Sequence, residues 1–145
     1  MRRLLLTLAA FVVIAAPAAS TASASNAPLQ VNFVKHVVDP VNLVFEGSTS
    51  GAVSGSLTSR LVSLNNVSGP IYNITFDWIV SAGDQSFTAR TTGIWNTVTG
   101  DVVMNGDVVS SGYLSGAQVH EAGHLVDPST LTFAGFLRLM PSTAD

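Results

Sequence analysis

The chain has no cysteine. That excludes a disulfide framework, thiol catalysis and a lipid anchor carried on cysteine. Basic residues are also scarce. Six Lys and Arg stand against nine Asp and Glu, and two of the six, Arg2 and Arg3, lie at the extreme N-terminus. Without those two the balance is four against nine, a net charge of about −5. No basic footprint for nucleic acid and no polybasic membrane patch is present, so neither partner is expected. After Ala16 no apolar run reaches the roughly 20 residues needed for a membrane-spanning helix. No phosphate-binding glycine loop and no Gly-x-Ser-x-Gly nucleophile elbow occurs.

What is present begins with an export-signal pattern. Arg2 and Arg3 precede the 13-residue apolar run Leu4 to Ala16, and Ala22-Ser23-Ala24 has the form of a cleavage site. Residues 1–24 are therefore expected to be a signal peptide of bacterial style. Residues 25–145 are expected to form one secreted domain, extracellular and with no membrane insertion once the signal is removed. Asn66-Val67-Ser68 and Asn73-Ile74-Thr75 match glycan acceptor sequons, a match that chance accounts for in an Asn/Ser/Thr-rich chain.

The mature pattern is β throughout. Val31 to Val38 is β-branched and ends at the turn signal Asp39-Pro40, and Val41 to Glu46 resumes as a second run. The glycines of Gly47 to Gly55 permit bends or close packing, as at a barrel corner or a bulge, and Leu57 to Leu64 reads as a strand. In Ile71 to Val80 strict alternation places Tyr72, Ile74, Phe76, Trp78 and Val80 on one face and Asn73, Thr75 and Asp77 on the other. Ser86 to Ile94 alternates likewise, so the two read as a hairpin. Thr99-Gly100-Asp101 and Asn105-Gly106-Asp107 read as tight turns or bulges. Asp127-Pro128-Ser129-Thr130 reads as a type I turn before a closing strand, Leu131 to Met140. There is no clean internal repeat. Roughly eight strand candidates, spaced by about 8 to 12 residues, predict an all-β antiparallel barrel, with a β-sandwich as the alternative.

One pentapeptide names a chemistry. His120-Glu121-Ala122-Gly123-His124 matches H-E-x-x-H, in which His120 and His124 hold zinc and Glu121 serves as the catalytic base. That reading requires a helix. Ser115 and Gln118 offer a capping box for one, but Gly116 and Gly123 each cost it about 1 kcal/mol. A catalytic zinc also needs a third protein ligand, and only Asp127 and Asp145 follow the motif. In a strand the two imidazoles stand about 13 to 14 Å apart, and Glu121 points to the opposite face. The strand reading is preferred, with no cofactor expected and zinc kept as the alternative.

Tyr72, Phe76, Trp78, Phe87 and Trp95 are candidates to line an apolar ligand pocket, or else plain core. Arg90 and Arg138 each sit on a well-patterned strand and are candidates to hold a ligand carboxylate inside a barrel, or to pair with Asp77 or Glu46; a solvated outer face is the preferred reading for both.

The run Phe45 to Leu57, FEGSTSGAVSGSL, with the glycine-punctuated hairpins and the closing Phe133-Ala134-Gly135-Phe136, resembles the small secreted calycin-like barrels related to allene oxide cyclase and dirigent proteins. The resemblance implies an eight-stranded barrel with an apolar cavity, in which some members guide cyclisation or coupling of lipophilic substrates. It carries no catalytic residues onto this chain. The expected function is binding of a small apolar molecule, or a non-catalytic extracellular module. The alternatives are a cyclase or isomerase working in the cavity, and a zinc hydrolase.

Overall fold

The computed structural model describes residues 27–112 and 114–142. The proposed signal peptide and its cleavage site lie outside the described residues. Eight strands follow in chain order: β1 Leu29–Asp39, β2 Val44–Gly51, β3 Gly55–Ser68, β4 Ile71–Ser81, β5 Phe87–Asn96, β6 Asp101–Ser111, β7 Gln118–Asp127 and β8 Thr132–Met140. Each pairs antiparallel with the next, and β8 pairs with β1, so the sheet closes into a barrel rather than a sandwich. Closure leaves no free edge strand.

Alternation decides what lies inside. Val31, Phe33 and Lys35 of β1 are buried, while Asn32, Val34 and His36 between them are exposed. The same parity buries Ile74, Phe76, Trp78 and Val80 on β4, and Phe87, Ala89 and Thr91 on β5. Those two strands pair along their length as the expected hairpin, around a short 3-10 turn, Gly83–Gln85. Edge-to-face contacts of Phe45 with Phe76 and with Phe133, at 5.8 and 5.9 Å between ring centres, tie distant strands across the interior.

One sequence reading needs correction. Asn105-Gly106-Asp107 is no turn but the middle of β6, whereas in Gly47 to Gly55 the chain bends at residues 52–53 and Gly47 lies within β2 at a close approach, where an added Cβ would stand 1.9 Å from the Val34 carbonyl oxygen. Asn-Gly also signals a hairpin turn, but here the glycine answers a close approach: a Cβ on Gly106 would lie 1.8 Å from the Arg90 carbonyl oxygen of β5. A turn pattern also recurs where no internal repeat was expected. Asp39-Pro40-Val41-Asn42-Leu43-Val44-Phe45 and Asp127-Pro128-Ser129-Thr130-Leu131-Thr132-Phe133 share Asp, Pro, Leu and Phe at matching places. In each, the Asp carboxylate accepts from backbone amides ahead of it: Val41 and Asn42 at 3.0 and 3.1 Å, and Ser129 at 2.9 Å. Four residues on, Leu43 and Leu131 take left-handed conformations, with φ of 50° and 47°. Asn96 builds the corresponding turn between β5 and β6, with Gly100 at φ 82° in the leucine's place. The residue six places after each of the three leaders, Phe45, Val102 or Phe133, turns into the core.

Gly106→Ala is expected to lower stability by roughly 2 kcal/mol or more, because backbone must move to admit the methyl. Gly112→Ala, where nothing lies within 4 Å of an added Cβ, is expected to stay within about 0.5 kcal/mol. Urea denaturation of both variants measures the difference.

Candidate functional site: a charged pair inside an apolar barrel

The loops after β1, β3, β5 and β7 share one end of the barrel, and a cavity opens there. Leu43, Leu61, Leu64, Trp95 and Leu131 surround its mouth; Phe33, Phe45, Phe76, Met104 and Phe133 form its walls. Its free space is about 30 Å³, room for one or two waters. The opposite end is closed by Val53, Leu114 and Ala117, all buried.

Two ionisable side chains line this apolar space, Lys35 and Glu121. Lys35 is 4 % exposed and Glu121 1 %. Parity puts them there. Lys35 follows Val31 and Phe33 on the inner face of β1, and Glu121 lies between Val119 and Gly123 on the inner face of β7. Lys35 is the only lysine in the chain. Its Nζ sits in a box of rings, 3.8 Å from the centre of Trp78, 4.9 Å from Phe76, 5.3 Å from Phe45 and 5.4 Å from Phe33. Ring faces attract an ammonium, which offsets part of its lost hydration.

Among the described residues the ion pairs within 4 Å are Arg90–Asp77 and His124–Asp101, so Lys35 and Glu121 act on each other through space. Between their places on the sheet, Gly123 pairs with Gly135, and Gly135 with Phe33. Neither glycine fills the interior, and the Phe33 ring extends over Gly123, 3.1 Å from where a Cβ would stand. Burial pushes the Glu121 carboxyl up to about 7, against the pull of Lys35 and Thr91. Burial likewise pushes the Lys35 amine down to about 8, against the pull of Glu121. Thr91 is held by Trp78 Nε1, which donates to its hydroxyl at 3.0 Å. Glu121 Oε2 and Trp95 Nε1, both on the cavity lining, are buried without a hydrogen-bond partner among the described residues. Orphaned polar atoms of this kind are uncommon in a finished core.

The sequence-derived candidates divide between inside and outside. Phe76 and Trp95 line the cavity, Trp78 forms the nearest wall of the lysine box, and Tyr72 packs beside Trp95 at 6.3 Å. Phe87 is buried near the closed end of the barrel and does not line the cavity. Arg90 and Arg138 are exposed on the outer face, so neither stands where a ligand in the cavity would meet it. Arg90 is one residue out of phase with the inward Ala89 and Thr91, and it donates to Asp77 through Nε and a terminal nitrogen at 2.6 and 2.8 Å. Arg138 lies between the inward Leu137 and Leu139, its guanidinium 6.0 Å from the Phe136 ring.

The helical zinc arrangement is not formed, because His120 to His124 belongs to β7. His120 Nδ1 lies 2.8 Å from Asn105 Oδ1 and His124 Nδ1 2.8 Å from Asp101 Oδ1, both on the outside, while Glu121 points inward. Among the described residues no group of three His, Cys, Asp or Glu is placed to hold a metal ion. No protein-family model matches this chain, and comparisons with curated proteins and with solved structures found no match.

The two buried groups give stability an unusual pH dependence. Folded Glu121 holds a proton that the unfolded chain releases, so its contribution is lost as pH rises from about 4.5 to about 7. Lys35 has the opposite sense: its contribution is present above about 10.5 and lost as pH falls to about 8. Asp39, Asp77, Asp101 and Asp127 are held below their ordinary range, chiefly by hydrogen bonds from Asn42, Arg90, His124 and Ser129, and act only in more acid solution. Unfolding free energies across pH should therefore pass through a minimum between about 7 and 8, with limbs on the order of 3 kcal/mol. Glu121→Gln should flatten the acid limb and Lys35→Met the alkaline one.

Proposed function

We propose that the barrel is an exported binding protein for a small, mostly apolar molecule carrying one polar group. The supporting observation is the apolar cavity itself, open at one end and lined by the Lys35 amine, by one carboxyl oxygen of Glu121 and by the Trp95 indole N–H, the last two buried without a hydrogen-bond partner among the described residues. Water can reach the mouth, the rings supply apolar contact, and Lys35, Glu121 and Trp95 supply the few convergent polar groups that such sites use for orientation. The free space at rest is small, so an entering ligand displaces side chains at the mouth. Leu43 and Leu131 are the candidates to move. Each is held in a left-handed conformation that leucine disfavours by about 1 kcal/mol, where the third turn uses glycine. The likeness to calycin-like barrels of the allene oxide cyclase and dirigent group supports the same reading.

A second reading is a cyclase or isomerase in this cavity. Its support is the pairing of a carboxyl near 7 with an amine near 8, one able to donate and the other to accept a proton near neutral pH.

Titration with 1-hexanol, followed by tryptophan emission and calorimetry, tests the binding reading. Saturable one-to-one binding with a change in emission is expected, and a strictly linear, unsaturable response would remove it. Leu131→Gly should speed association several-fold by widening the mouth; an unchanged rate would place the entrance elsewhere.

A further inference from the structure

We propose that Lys35 is a covalent capture site: its amine condenses with the carbonyl carbon of a small apolar aldehyde or ketone in the cavity, and Glu121 serves as the proton-transfer partner. The proposal rests on the binding reading above and names the ligand's chemical class.

Four observations point to it. The chain has one lysine, and it lies inside the barrel rather than on the surface, where lysine is ordinarily found. Its Nζ makes no hydrogen bond or close ion pair among the described residues and faces four aromatic rings, so the amine is not committed to a polar partner. The second ionisable group of the cavity is a carboxyl with a free oxygen, Glu121 Oε2. The walls are otherwise apolar and the floor is closed, so water released in the condensation has one way out, through the mouth. A plain counter-ion pair would place the carboxylate against the ammonium, and here it does not touch it. The lowered basicity of the buried amine keeps a useful fraction of it uncharged near neutral pH.

The step balances without an oxidant or reductant. The neutral amine nitrogen attacks the carbonyl carbon, forming the C–N bond while the C=O π pair moves to oxygen. That oxygen takes up a proton and the nitrogen gives one up, leaving a neutral carbinolamine. The Glu121 carboxyl then protonates the hydroxyl, which leaves as water as the nitrogen lone pair forms C=N. The resulting iminium returns its remaining N–H proton to the Glu121 carboxylate. The products are one imine and one water, and Glu121 ends as it began.

The test uses the purified, unmutated protein with hexanal and sodium cyanoborohydride near pH 7.5, read by intact mass and peptide mapping. The α-amino group is the chain's other primary amine and serves as an internal reference. One hexyl group per chain is expected, on Lys35. Labelling should run at least tenfold faster than at the α-amino group, saturate with hexanal and be blocked by excess 1-hexanol. Glu121→Gln, folded by circular dichroism, should slow the Lys35 reaction about tenfold or more. Because mapping is done on the native sequence, a variant that fails to fold does not decide the result. Labelling confined to the α-amino group while 1-hexanol still binds saturably would overturn covalent capture and leave the binding reading standing. Neither labelling of Lys35 nor saturable binding of 1-hexanol would overturn both.

Discussion

The period of two along a strand, imposed on a sheet with no edges, governs this molecule. A closed antiparallel barrel gives each residue only two addresses, inside or outside, and neighbours in sequence take opposite ones. Eight strands enclose an interior just wide enough for side chains, so inward positions at a similar height along the barrel share one space. Lys35 on β1 and Glu121 on β7 become occupants of one apolar space although 85 residues lie between them in the chain. The same rule places Arg90 and Arg138 in solvent, because each stands one step away from a buried neighbour.

Much of this was legible in the sequence where alternation was unbroken. The hairpin of β4 and β5 follows from Tyr72 to Val80 and Phe87 to Thr91 read at period two, and the two strands pair from Ile71 with Asn96 to Val80 with Phe87. The extended state of His120 to His124 followed from the surrounding β pattern and from the glycines that weaken a helix. The interior pair was less legible. Lys35 interrupts an apolar run, and a charged residue in such a run is naturally assigned to solvent. Counting positions from Val31 and Phe33 assigns it to the core, and its being the one lysine was a further signal. Gly106 was opaque for another reason: a glycine needed for a turn and one needed because two backbones nearly touch look identical until the neighbouring strand is known.

Burying an amine and a carboxylic acid without direct contact is unfavourable compared with a hydrocarbon pair of similar volume. The surrounding side chains show how the cost is reduced. Aromatic faces receive the ammonium, Thr91 lies between Trp78 and Glu121, and two glycines leave room between the charged residues. The mouth shows a related economy. One turn design, led by an Asx side chain and ended by a left-handed residue, serves three of the four loops there. Each delivers a large or branched apolar residue into the core just below the rim, so the loops and the walls of the cavity are set by the same short segments.

The basic residues among those described are Lys35, Arg60, Arg90 and Arg138, and all four lie within strands, on β1, β3, β5 and β8. A trypsin-like protease needs several residues of extended, unpaired chain around the bond it cuts, and none of these bonds lies in a loop. Digestion by such an enzyme within the described barrel therefore has to wait for strands to separate, and the cleavage rate reports how often the closed sheet comes open.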